Sequence, residues 1–219
     1  MGDTVPLGGF GAPGWDGLVA DLVAVTDSII EERPGLPLFL IGHSMGSFAL
    51  QQAILSHSDR YAGVVLSGST ALDLMAAGLA EAGDGGGDLS FLNTGFEHRT
   101  GYEWLSRDTA EVDAYVADPL SGFELPPETI PALFGSATRL ADPSALRGIR
   151  SDLPILIISG DADPLAGGGA LIETLAQRYR DAGIGDVTLH LFPEARHEIF
   201  NETNRDEVTA LVIGWLGDH

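Results

Sequence analysis

The sequence contains no cysteine and no lysine, and both absences narrow what the chain can be. Without cysteine there are no disulfides, no thiolate metal sites and no cysteine nucleophile. The 11 basic residues are all arginines, and 32 acidic residues oppose them, which gives a formal net charge of −21. Because so acidic a surface repels phosphate backbones and anionic lipid, the composition argues against nucleic acid as a partner.

Long apolar runs and a basic leader are also missing. No run approaches the roughly 18 apolar residues that suggest a membrane span, and the first residues lack the basic-then-apolar pattern of a secretory signal. We therefore expect a cytoplasmic chain with no stable membrane anchor. A length of 219 residues suits one domain with a full core.

Strand-like and helix-like segments alternate along much of the chain. The short apolar runs at 37–41, 61–66, 154–159 and 187–192 are typical of parallel strands buried on both faces. Helical periodicity covers 15–32, 48–55, 169–181 and 203–216. This alternation predicts an α/β fold, a three-layer sandwich around a mostly parallel sheet, preceded by a glycine- and proline-rich loop at 1–14.

The segment 70–150 interrupts this alternation. It combines helical stretches, several prolines, a glycine run at 83–87 that predicts flexibility, and aromatic residues such as Phe96, Trp104 and Phe123, with no clear strand. We interpret 70–150 as a helical insertion that covers a site, on a core formed by 1–69 and 151–219. A pair of ordinary packing helices is the alternative interpretation.

Residues 42–46, Gly-His-Ser-Met-Gly, match the G-x-S-x-G motif between a predicted strand and a predicted helix. That context is the sharp turn that exposes a nucleophilic serine, here Ser44, with the backbone N–H of Met45 as an oxyanion donor. We expect side chains at Gly42 or Gly46 to clash, because a sharp turn brings backbones close together. A purely structural Gly-Ser turn is the alternative.

A serine hydroxyl needs a base to accept its proton, and His197 follows the fourth predicted strand. Hydrolases with this motif run in the order serine, acid, histidine, so the acid should follow the third strand. Asp161 and Asp163 both stand there, and one of them could instead cap a turn. We interpret His43 as a supporting residue that points away from the nucleophile. The histidines have no metal-ligand spacing, so we expect no metal and no cofactor.

At this point the residues resemble a known family. The stretches 37–47, 104–108, 118–120 and 195–202 are similar to bacterial monoacylglycerol lipase-like (lysophospholipase-type) α/β-hydrolases, and the resemblance covers nearly the whole chain. It implies Asp163 as the acid and a small carboxylic ester as the substrate. It also implies a cap whose apolar lining receives an acyl chain, for which we name Phe96, Trp104, Phe123 and Leu165.

One departure from the family bears on the edge of the sheet. Members begin with further strands and a His-Gly loop that supplies a second oxyanion N–H, and this sequence starts after that loop. We therefore expect an N-terminally shortened α/β-hydrolase fold with an exposed edge at 37–41, open to homodimerisation. Two alternatives to an esterase remain. One is an amidase or proline-type peptidase, and the other is an inactive interaction module.

Overall fold

The computed structural model describes residues 6–82 and 89–219. In these residues the sheet consists of β1 (Phe39–His43), β2 (Gly63–Ser67), β3 (Ile155–Gly160) and β4 (Val187–Phe192). The strands are parallel and lie in the order β1-β2-β3-β4. The predicted parallel α/β architecture is confirmed. The glycine run at 83–87 and the first five residues of the predicted opening loop lie outside the described residues.

The helices of the described chain follow the strands in the predicted alternation. In chain order they are α1 (Gly14–Glu32), α2 (Met45–His57), α3 (Leu72–Ala82), α4 (Thr109–Ala117), α5 (Thr129–Phe134), α6 (Ala137–Ala141), α7 (Pro143–Leu146), α8 (Ala170–Asp181) and α9 (Arg205–Asp218). None of them is both long and apolar enough to cross a bilayer.

Alternate side chains of the central strands face opposite layers, because successive residues of a strand point to opposite faces. Val64 and Ile155 pack with buried residues of α2 and α8 on one face. Val65 and Leu156 pack with buried residues of α9 on the other face. Both faces of β2 and β3 are therefore covered, which explains why their sequences are continuous apolar runs.

β1 departs from the expectation of burial on both faces. It pairs with β2 on one side and, among the described strands, with none on the other. Ile41 in this strand is 43% exposed. β1, which overlaps the apolar run at 37–41, is thus an edge strand with one partly open face, and apolar composition alone did not distinguish it from a central strand.

Between β2 and β3 the described residues form helices and turns, with no strand. Buried residues of this segment, including Leu92, Trp104 and Leu133, join one hydrophobic cluster with Trp15 of α1 and Phe48 of α2. The segment therefore packs against the helices that flank the end of β1. Its function as a cap with the bounds 70–150 stays a prediction.

Candidate active site

Ser44 stands between the end of β1 and the start of α2 in a strained conformation. Its φ of 51° and ψ of −123° lie in a region that non-glycine residues rarely adopt. The turn is held by a hydrogen bond from Ser44 N to Ser67 O of 2.9 Å and by one from Ser47 N to Ser44 O of 2.8 Å. Such strain at a well-anchored turn is a feature of functional sites.

The two glycines of the motif differ in what they require. A Cβ on Gly42 would lie 2.6 Å from the Gly46 carbonyl oxygen, so only glycine fits there. A Cβ on Gly46 would have no described atom within 4 Å. The expectation of a clash at Gly46 is therefore wrong, because this position faces open space from the first turn of α2.

His197 connects Ser44 to a carboxylate through its two ring nitrogens. Nε2 lies 2.9 Å from Ser44 Oγ, and Nδ1 lies 2.9 Å from Asp163 Oδ2. His197 and Asp163 are each only 1% exposed. Three side chains from three loops, each following a different parallel strand, therefore form one continuous line of hydrogen bonds.

Asp161 and Asp163 have different partners. Asp163 Oδ1 accepts a hydrogen bond from Leu165 N at 2.9 Å, which leaves Oδ2 for the imidazole. Asp161 is exposed and accepts from Glu194 N at 2.6 Å, at a residue whose φ is 60°. The structure thus places Asp163 beside His197 and uses Asp161 to hold the turn that follows β4.

The environment of His197 favours its charged form. Burial by itself would lower the pKa of the imidazole, but the charge and hydrogen bond of Asp163, together with the charge of Glu198, raise that pKa above its usual value. An imidazole with a raised pKa is a stronger base, which suits a residue that accepts a proton from serine.

A cavity of about 290 Å³ opens beside Ser44. Trp104, Phe123 and Leu165 line it, whereas Phe96 is not among its lining residues. The Phe96 ring instead lies 4.7 Å from the Arg196 guanidinium carbon in a cation–π contact.

Other cavity residues escaped the sequence analysis. They are Gly8, Gly9, Phe10, Leu18, Phe48, Leu72, Met75, Leu89, Phe91, Leu92, Leu125, Thr129, Ile130, Leu133 and Phe134. Most are apolar residues of helical segments, and their spacing is the same whether they face a core or an open cavity. No signal in a single sequence separates these two cases.

Met45 is the first residue of α2 and also lines the cavity. The first N–H groups of a helix have no partner within the helix, and they favour negative charge. The backbone N–H of Met45 is therefore suitably placed, next to Ser44, to stabilise an oxyanion.

His43, interpreted from the sequence as a supporting residue that points away from Ser44, has its contacts with other residues of the site. Its ring centre lies 4.9 Å from that of His197. Its Nδ1 lies 3.0 Å from Ser67 Oγ, and its Nε2 lies 3.1 Å from Glu198 Oε2. The register places His43 opposite Ser67 on β2, and its side chain reaches Glu198 in the loop that follows β4.

His43, His197 and Glu198 form the one described cluster whose potential metal-binding atoms approach one another, within 4.8 Å. Both nitrogens of His197 are already engaged, by Ser44 and by Asp163. A metal ion bound through His197 would therefore break the line of hydrogen bonds, so the arrangement fits a metal poorly.

Glu202 was not singled out from the sequence, yet it joins the insertion to the loop that carries His197. Its buried carboxylate accepts backbone hydrogen bonds from Arg107, Arg196 and Thr203 at 2.9–3.0 Å and a side-chain bond from Arg107 Nε at 2.8 Å. Burial alone would raise the pKa of Glu202, but these donors lower it. The carboxylate stays charged and fixes the loop.

The parallel sheet and a serine at a strand–turn–helix junction place the chain among the α/β-hydrolases. Residues 4–204 match the family described as "Serine aminopeptidase, S33", and the chain belongs to this family. The predicted resemblance to monoacylglycerol lipase-like proteins is confirmed by its relatives.

Curated relatives include a monoacylglycerol lipase of Mycolicibacterium smegmatis, 29% identical over 92% of this chain and 69% of that protein. The human monoglyceride lipase is 28% identical over 85% of this chain and 63% of its own length. The chain thus spans about two thirds of the length of these relatives.

Among solved structures, a carboxyl esterase from Bacillus coagulans has a TM-score of 0.79 and 26% identity, covering 95% of this chain and 73% of that one. The chain is a hydrolase of the esterase and lipase type.

Proposed function

We propose that the chain hydrolyses small carboxylic esters through an acyl-enzyme on Ser44. The observation that carries this proposal is the line of hydrogen bonds from Asp163 through His197 to Ser44, which ends at an apolar cavity. Each of the three side chains has the partner that its part in acyl transfer requires.

In the first step the Ser44 oxygen attacks the ester carbonyl carbon, while His197 Nε2 takes the hydroxyl proton. Asp163 holds the Nδ1 proton and stabilises the imidazolium that forms. The Met45 N–H donates a hydrogen bond to the carbonyl oxygen as its negative charge develops.

The tetrahedral intermediate then collapses. His197 returns the proton to the alkoxide oxygen, the alcohol leaves, and the acyl group remains on Ser44. Water attacks this ester with His197 as the base again, which releases the carboxylic acid and restores the serine.

The cavity supports esters with short to medium acyl chains or monoglycerides. Its volume of about 290 Å³ is near the lower end of small-molecule sites, about 300–1,000 Å³. Apolar side chains such as Phe48, Met75 and Leu133 line it, which favours a hydrocarbon chain over a polar one. The names of the lipase relatives support the same substrate class.

An amidase or peptidase activity is the second candidate, because the family description names an aminopeptidase. A free peptide amine calls for a carboxylate in the site, and none of the described residues lining the cavity is Asp or Glu. Hydrolysis of an acyl p-nitroanilide faster than the matched p-nitrophenyl ester would favour this candidate over the esterase.

The test is hydrolysis of p-nitrophenyl esters from acetyl to palmitoyl by the chain and by Ser44→Ala. Ser56→Ala is the matched control, because Ser56 is exposed and lies about 16 Å further along α2. We expect Ser44→Ala alone to abolish turnover, with an optimum at short or medium chains. Folded protein without turnover would instead support the inactive interaction module.

We also propose that two copies pair through the edge of β1. The edge is unpaired among the described strands, and the exposed apolar side chains of Val25 and Ile41 line one surface pocket beside it. An open edge of this kind is a template for pairing with another strand. Besides a second copy, the proposed partner of the chain is its small ester substrate.

A further inference from the structure

The His197 ring has two further neighbours that the proposed mechanism does not use. The imidazole contacts the ring of Trp104 and that of His43, with both pairs of ring centres 4.9 Å apart. A Cβ on Gly68 would lie 2.9 Å from His43 Cε1 and 3.0 Å from His197 Cε1. The two histidines therefore pack directly beside each other, and the glycine leaves room for no further side chain.

His43 Nδ1 contacts the buried Ser67 hydroxyl at hydrogen-bond distance, and its Nε2 lies 3.1 Å from the Glu198 carboxylate, an ion-pair distance without hydrogen-bond geometry. Glu198 is itself anchored, because its backbone N–H donates to Leu105 O at 2.8 Å. The side chains of His43 and Glu198 are only 28% and 32% exposed. Serine, histidine and carboxylate thus form a second line of contacts, next to the first.

We propose that Glu198, held by His43, is a positioning residue that acts as a second carboxylate on His197 and stabilises the imidazolium formed when Ser44 attacks. This inference rests on the proposed function of the same site. One side-chain polar atom each of His43, His197 and Glu198 lies within 4.8 Å of the other two. At that distance the negative charge of Glu198 favours the imidazolium that forms on His197.

The charged groups around the pair agree with this assignment. Asp163 faces His197 from the loop after β3. Beyond Glu198, a surface pocket is lined by Glu111, Tyr115 and Asp118 of the insertion, and no arginine is among its described lining residues. Burial alone would raise the pKa of Glu198, but the contact with His43 and the charge of His197 lower it. Glu198 therefore remains a carboxylate beside the base.

Neither His43 nor Glu198 lines the apolar cavity beside Ser44. A change at Glu198 should therefore alter proton transfer without altering how the ester binds. Glu198→Gln keeps the shape of the side chain and removes its charge, which separates an electrostatic contribution from simple packing.

The experiment measures pH profiles of kcat/KM for a p-nitrophenyl ester with the chain, Glu198→Gln and Glu198→Asp. Glu194→Gln is the matched control, because it removes one carboxylate from the same loop at an exposed position. We expect Glu198→Gln to lower kcat about tenfold or less, to leave KM unchanged, and to move the acid limb to lower pH. Glu198→Asp should restore the wild-type profile, and Glu194→Gln should match it.

A parallel NMR titration follows the His197 Cε1–H in the Ser44→Ala chain with and without Glu198→Gln, and it needs no activity. A lower His197 titration midpoint in Glu198→Gln supports the inference even if no ester is turned over. Overlapping titrations and overlapping rate profiles would overturn it while leaving a Ser44-dependent esterase intact. A lowered melting temperature with an unmoved acid limb would mark a purely structural role and also overturn it.

Discussion

Asp161 and Asp163 stand two residues apart, yet their contacts differ completely. Asp163 is buried against the imidazole of His197, whereas Asp161 is exposed and holds the Glu194 backbone. The residue pattern after β3 did not decide which aspartate is the acid, because both follow the same strand in one loop and are the same residue type. Only the path of the loop decides which carboxylate turns inward.

Replacing each aspartate by asparagine separates their roles. In Asp163→Asn the imidazole loses the carboxylate that fixes its tautomer, so we expect kcat to fall by about 10³–10⁴. Asp161→Asn keeps an acceptor for the Glu194 N–H, so its kcat should stay within about threefold of the parent. Steady-state kinetics on one p-nitrophenyl ester measures both, and an equal loss in the two variants would contradict the assignment.

Activity should fall on the acid side as His197 becomes protonated, because the imidazolium cannot accept the Ser44 proton. The pKa of His197 is raised above 6.5, so the acid limb of kcat/KM should have its midpoint above pH 6.5. A pH–rate profile between 5 and 9 measures it. A midpoint at or below 6.5 would argue against the charge balance described for the site.

At the scale of the elements, the turn between β1 and α2 depends on Gly42 more than on Gly46. The G-x-S-x-G pattern presents the two glycines as equivalent. The backbone shows that only one of them approaches another segment closely, a property of the tertiary turn and not of residue type.

Gly42→Ala should therefore destabilise the chain by several kcal/mol, because its Cβ would lie 2.6 Å from a backbone oxygen. Gly46→Ala, the matched control in the same turn, should leave stability unchanged or raise it by about 0.5–1 kcal/mol, since alanine favours helices. Urea unfolding of both variants tests the contrast. Equal loss in the two variants would contradict the described turn.

Glu103 ties together the loop that presents Trp104 to the cavity. It accepts hydrogen bonds from the backbone of Thr100 and Gly101 and from the side chains of Thr100 and Asn93. Burial alone would raise its pKa, but these donors lower it from 4.5 to about 2. Because the folded pKa is depressed, this stability is present above pH 4.5 and is lost as the pH falls toward 2.

Glu103→Gln should consequently reduce stability at pH 6 and flatten its dependence on pH between 4.5 and 2. The exposed Glu207→Gln serves as the matched control. Free energies of unfolding from urea titrations at several pH values measure the effect. A parent and a Glu103→Gln chain with parallel pH dependence would contradict the role given to Glu103.

The cavity wall in α3 offers a test of where the acyl chain lies. Met75 faces the cavity, whereas its neighbour Leu74 is exposed and does not line it. Met75→Trp should shift the optimum of the ester series toward shorter acyl chains, because the added ring occupies cavity volume. Leu74→Trp should leave the optimum unchanged. An unaltered optimum in Met75→Trp would place the acyl chain elsewhere.

For the whole molecule, the alternating strands and helices predicted the parallel direction and the approximate bounds of the strands. This succeeded because strands buried on both faces leave continuous apolar runs, as in β2 and β3. Features that depend on how distant segments meet were not predictable from residue patterns. The shared cavity, the inward turn of His43, the position of Phe96 on Arg196 and the Glu202 contacts are of this kind.

The open edge of β1 gives the whole-molecule prediction. Sedimentation at micromolar concentration should detect a dimer, and Ile41→Lys should shift it toward monomer, because a charge on an edge strand opposes pairing. Val116→Lys is the matched control, as Val116 is 50% exposed on α4, in the insertion between β2 and β3. A parent chain that sediments only as a monomer would contradict pairing through β1.

The central claim, that Ser44 is the nucleophile, is tested most directly by covalent trapping. Diethyl p-nitrophenyl phosphate transfers its diethylphosphoryl group to an activated serine oxygen and releases p-nitrophenolate. Intact-mass and peptide mass spectrometry should find one such addition, on the peptide containing Ser44, and none in Ser44→Ala. An addition that persists in Ser44→Ala, or no addition to the folded parent chain, would contradict the account.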